Sequence, residues 1–184
     1  MASAAAQRRV ELRDRLFTDA DERTWNRKTN DGYFTVPRLL PYIMCLIRSL
    51  AEKKGDPSAV YFDLWSRAYD EGMATITDEA IAAFESGYSG TRAVRTWRER
   101  MRVLEELGFI QAKPSGNRQF AHVLIINPLQ VVCQIRGSDP SKVPDELWNA
   151  FLARAQEIGA SLPFDFDSEL PKVPETDHEP VQTV

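Results

Sequence analysis

Between Thr77 and Pro128 the chain runs with little connecting loop through a polar-capped apolar segment, a Gly-Tyr-Ser-Gly break and an arginine-rich amphipathic segment. Two alternating segments around Pro-Ser-Gly-Asn follow. At about 100° per residue, Ala93, Val94, Trp97, Met101, Leu104 and Leu107 gather on one side of a helix over 91–107. Arg92, Arg95, Arg98, Glu99 and Arg102 take the other. The apolar stripe fixes such a helix and leaves its arginines outward. Ahead of it, Thr77 is the expected cap of a short helix, with Asp78 and Glu79 at the positive end of its dipole and Ile81, Ala82 and Phe84 as its buried face. Gly87-Tyr-Ser-Gly90 ends that helix, and Ser89 or Thr91 caps the next. Gly108 closes the arginine helix. Phe109 to Lys113 and Arg118 to Ile126 then read as a hairpin with Lys113 and Arg118 near its tip.

The flanking sequence is mostly helical in pattern. Residues 8–17 place Val10, Leu12, Leu16 and Phe17 at loosely helical spacing, either a docking helix or a basic arm. Thr35-Val-Pro37 is expected to open a helix with Thr35 as cap, bending or restarting at Pro41 and running to about Lys54. A second helix is expected over 58–71, with Val60, Tyr61, Leu64, Trp65 and Ala68 inward, and Met73 to Ile76 as a short strand. Further helices are expected from Leu129 to Arg136 and from Pro144 toward Gly159. Leu147, Trp148, Phe151, Leu152 and Ile158 are core or dimer-contact candidates of the last helix. After Leu162 come four prolines and six acidic residues, the composition of a disordered tail, with Phe164 and Phe166 available as an anchor. The expected divisions are an arm over 1–34, a main domain over 35–136, a helical extension over 137–162 and a tail over 163–184. The fold class is mostly α with a small β-hairpin.

Net charge is -4, but it is unevenly spread. From Asp139 onward ten acidic residues face three basic ones, which leaves +3 on 1–138. Residues 88–120 hold seven Arg or Lys against three Glu, whereas 56–86 hold seven acidic residues and one basic. A contact surface for an anionic partner is therefore local and narrow. No apolar run is long enough for a membrane span, and the first nine residues lead into no apolar signal core, so a cytoplasmic protein is expected. Cys45 and Cys133 are isolated and expected to be buried thiols.

The stretch from about Thr35 to Asn127 resembles the winged helix-turn-helix superfamily of DNA-binding proteins, with bacterial plasmid replication initiators and phage-type regulators nearest in character. The likeness is carried by Pro37 before a leucine-rich helix, the Thr77 cap, and Ser89-Gly-Thr-Arg opening the second helix. Arg95-Thr-Trp97 at mid-helix and Leu104-Glu-Glu-Leu-Gly-Phe-Ile110 entering the hairpin complete it. The resemblance implies a second helix lying in the major groove and a wing on the neighbouring backbone or minor groove. Ser89, Thr91, Arg92 and Arg95 would then lie nearest base edges, Arg98 and Arg102 would meet phosphates, and Lys113 and Arg118 on the wing would add salt-dependent affinity. Double-stranded DNA is the implied partner, in transcription regulation or plasmid replication and partition. A homodimer through 145–158 would match an inverted repeat.

Catalysis finds little in the sequence. His122 falls in a strand and His178 in the tail, neither beside a second ligand, so no metal or other cofactor is expected. Gly87-Tyr-Ser-Gly90 lacks the length and the lysine of a phosphate loop. The competing reading is a protein-interaction module that docks a protein partner through the acidic 56–86 surface and the C-terminal helix.

Overall fold

A computed structural model of the protein describes residues 4–163 and divides the chain into two compact units, Met1–Thr35 and Val36–Val184. The expected acidic tail, with Phe164 and Phe166, lies outside the described residues. In the first unit, α1 (Ala4–Leu16) and α2 (Ala20–Arg23) are linked by Arg13, whose guanidinium donates to Asp21 at 2.7 Å. Val10, Leu12, Leu16 and Phe17 are all exposed, and α1 buries no residue.

In the second unit, α3 (Leu40–Ala51) begins at Leu40, with Leu39 at its cap position, rather than at Pro37. Thr35 therefore caps nothing: Pro41 sits in the first turn, where its missing N–H has no intrahelical partner to lose. Leu40, Ile43, Leu46, Ile47 and Ala51 recur at helical spacing and are buried. Cys45 falls on the opposite side of that stripe and is exposed, contrary to the expectation for it, whereas Cys133 is buried. A 3-10 turn over Glu52–Lys54 leads to α4 (Ser58–Arg67), which buries Val60, Tyr61 and Leu64. α4 stops short of the expected Glu71, because Ala68 turns to extended backbone on the way to β1 (Met73–Thr75).

The middle of the unit is α5 (Glu79–Glu85), α6 (Ala93–Glu106), β2 (Ile110–Ser115) and β3 (Arg118–Ile125). β3 lies centrally in an antiparallel sheet of order β1-β3-β2, with Ala74 and Ala112 both opposite Val123. The expected hairpin has thus gained β1 as a third strand. Its turn is only Gly116-Asn117, with Gly116 at φ 60°, the left-handed geometry that suits a tight antiparallel connection. The ladder is irregular between Lys113 and Ser115, where Pro114 has no N–H to donate.

α7 (Pro128–Ser138) and α8 (Asp145–Glu157) close the unit, and α3 packs against α4, α7 and α8. One core runs through these elements. Trp97 meets Phe120 edge-on at 5.8 Å, Tyr61 meets Phe109 at 5.7 Å, and Trp148 stacks on Phe151 at 5.5 Å. Trp148 and Phe151 are therefore core residues of the chain itself, where the dimer expectation had them as contacts. Leu147, Leu152 and Ile158 are half-buried against the same core. Among the described residues no helix is long and apolar enough to cross a membrane.

Candidate nucleic-acid interface

The arginine helix is positioned from both ends. α5 finishes in a pair of reversed hydrogen bonds, Tyr88 N–H to the Ala83 carbonyl and Gly87 N–H to that of Phe84, each 2.9 Å. Gly87 takes φ 87°, a conformation that only glycine adopts at no steric cost. The same motif ends α6: Gly108 N–H bonds Glu105 O and Phe109 N–H bonds Leu104 O, with Gly108 at φ 82°. Between these two breaks, Trp97, Met101, Val103 and Leu104 are buried and hold the helix against the core.

The start of α5 departs from the sequence reading. Asp78, not Thr77, is its cap, accepting from Ala80 N at 2.7 Å and from Ile81 N at 3.3 Å. The inward side consists of Glu79, Ala82, Ala83 and Ser86, while Ile81 and Phe84 are 52% and 73% exposed. Small residues on the inner face let this short helix approach its neighbours closely, which leaves its two largest apolar side chains outside.

The cations expected to form one interface fall into two groups. Arg98 donates through Nε to Glu79 Oε2 at 2.7 Å and makes a second, shorter bond to the same oxygen through Nη2. Glu79 is only 7% exposed, so this pair ties α6 to the first turn of α5. Arg118 turns back from the hairpin end, and its Nη1 donates to the Ile76 and Thr77 carbonyls at 3.0 Å each. Arg98 was expected to meet phosphate and Arg118 to add salt-dependent affinity from the wing; the structure engages Arg98 with the first turn of α5 and Arg118 with the two residues Ile76 and Thr77 that lead into it. Arg100, at the edge of the apolar stripe, donates to the Lys54 carbonyl at 2.7 Å. It lies so close over Gly55 that a side chain there would strike its guanidinium.

The second group faces outward. Ser89, Thr91 and Arg92 are exposed at the entry to α6, and Arg92 occupies the cap position without a side-chain bond to the helix. Among the described residues neither the Arg92 guanidinium nor the Lys113 ammonium has an ion-pair or hydrogen-bond partner. Lys113 is exposed on β2 opposite His122. The Arg95 side chain is 80% exposed and, among the described residues, bonds only Glu99, its Nε 3.0 Å from Oε1. Arg102 leans on the hairpin through a 3.3 Å bond to Gln119 Oε1. Tyr88 is half-buried against the core, and its hydroxyl lies 3.5 Å from the Asp56 carbonyl. Burial pushes its phenol up, and the neighbouring Arg100 pulls the other way.

The outward set is thus Ser89, Thr91, Arg92, Arg95 and Arg102 along one edge of α6, with Lys113 on the hairpin. Glu79 was missed as an anchor because its partner lies 19 positions along the chain. Glu99 stands on the same outer ridge as the arginines. No known protein family, curated protein or solved structure matches this chain, so its own residues carry the functional reading.

Proposed function

We propose that the protein is a winged helix-turn-helix that binds double-stranded DNA sequence-specifically, acting in transcription regulation or plasmid replication and partition. α5 and α6 form the helix-turn-helix, α6 enters the major groove, and the β2-β3 hairpin is the wing. The observation that carries the reading is the outer edge of α6. Its apolar side packs on the core, while Arg92 and Arg95 stand exposed at the end of the helix that a groove admits first. The element order supports it as well, with a helix pair set between β1 and β2 of a β1-β3-β2 sheet. An arginine presents two parallel donors to guanine O6 and N7, so Arg92 and Arg95 suit base reading. Lys113 suits the phosphate backbone as a point charge.

A second reading, a protein-docking module, is favoured by Ile81 and Phe84, which lie exposed on α5. Selection from a pool of random duplexes by the full chain separates the two. The DNA reading predicts enrichment of one shared sequence. Folded protein that enriches none, and binds no duplex even at low salt, would leave the docking reading in its place.

A further inference from the structure

We propose that Glu99 is a specificity-determining residue of this ridge: its carboxylate accepts from the exocyclic amine of a cytosine, so that one C·G pair is demanded beside the guanine read by Arg95. The inference rests on the duplex-binding reading above. On the side of α6 opposite Trp97, Met101 and Leu104, the order along the helix is Arg92, Arg95, Glu99, Arg102. A carboxylate therefore interrupts a cationic ridge at its centre. Among the described residues it bonds only Arg95, unlike the other two acids of α6. Glu105 accepts from Ala112 N at 3.0 Å, and Glu106 pairs with Lys54 Nζ at 2.6 Å. The Glu99 side chain is 43% exposed and accepts from Arg95 Nε at 3.0 Å.

Helix stability does not account for Glu99. An exposed pair one turn apart contributes little, and with the base preceding the acid it has the less favourable orientation relative to the helix dipole. The cost of exchanging this pair for contacts to bases is correspondingly small. In a major groove, an ionised carboxylate meets acceptors at guanine O6 and N7, adenine N7 and thymine O4, all of which repel it. Donors are the amines of cytosine and adenine, and cytosine presents its amine without an adjacent N7 acceptor. Glu99 thus acts chiefly by exclusion and Arg95 by attraction, the two halves from which a specific interface is built. The negative charge of Glu99 also lowers the positive charge of the ridge, which weakens indiscriminate contacts to phosphate.

The test is duplex selection by the full chain in four forms: unaltered, Glu99→Ala, Glu99→Gln and Arg95→Ala. The unaltered chain should select a C·G pair at one position. Glu99→Ala should keep the rest of the selected sequence, lose about tenfold of discrimination at that position, and bind unselected DNA more tightly. Glu99→Gln should move the preference there to adenine, which an amide contacts at N6 and N7. Arg95→Ala should instead lose the neighbouring guanine. If both Glu99 variants select the original sequence with undiminished discrimination, the role of Glu99 is overturned and the duplex reading stands. If the unaltered chain selects no sequence, both fall together.

Discussion

Arg92 and Arg98 occupy the same helix and carry the same charge, yet their side chains have different work. The helical pattern assigns each arginine to the outer half of α6, but it contains no record of a buried carboxylate on α5 that reaches across to Arg98. Desolvating Glu79 to 7% exposure is costly unless a cation and its donors accompany it. Arg98 supplies both. Removing it leaves the acid without its partner, so Arg98→Ala should destabilise the fold by about 1–3 kcal/mol. Lys113→Ala should leave thermal unfolding unchanged and reduce the slope of log affinity against log salt by roughly 0.9, the loss of one phosphate contact. Unfolding curves and salt titrations on the two variants check this division; a stable Arg98→Ala with a reduced salt slope would reverse it.

At the level of elements, α6 was legible in the sequence with its buried face, whereas α5 was legible as a helix but not in its cap or its buried face. α6 runs for 14 residues with a continuous apolar stripe, and Trp97, Met101 and Leu104 are buried as their spacing demands. α5 has seven residues and two competing faces. Hydrophobicity favours Ile81 and Phe84, whereas the close approach of α4 and α6 favours the stripe of Glu79, Ala82, Ala83 and Ser86. Packing distance decided the matter, and no residue type announces it. Such a helix depends heavily on its ends, since few of its backbone groups have intrahelical partners. Asp78→Ala should therefore cost about 1 kcal/mol of stability, while Thr77→Ala costs little. Equal unfolding midpoints for the two would place the cap elsewhere. The hairpin was legible in both strands and in its glycine turn, but the pairing of β1 with β3 joins segments too distant for local pattern to predict.

Across the whole molecule, charge is the property that limits the proposed interface. The cationic surplus of 88–120 was plain in the sequence, yet it overstates the surface available. Arg98, Arg100 and Arg118 are engaged within the fold, and Glu106 holds Lys54. What remains outward is a short ridge of Arg92, Arg95 and Arg102 with Lys113 beside it in the chain's hairpin, and the acidic run over 56–86 borders it in sequence. In the proposed complex a ridge this narrow would make few phosphate contacts, so affinity would depend on base reading by two arginines near the start of α6. The most direct measurement is the affinity of the full chain for its selected duplex over a range of salt, with and without Arg92→Ala combined with Arg95→Ala. The account predicts salt-sensitive binding that weakens on the order of a hundredfold in the double variant, at about 1–3 kcal/mol for each bidentate contact, with thermal unfolding unchanged. Undiminished affinity in a folded double variant would contradict it.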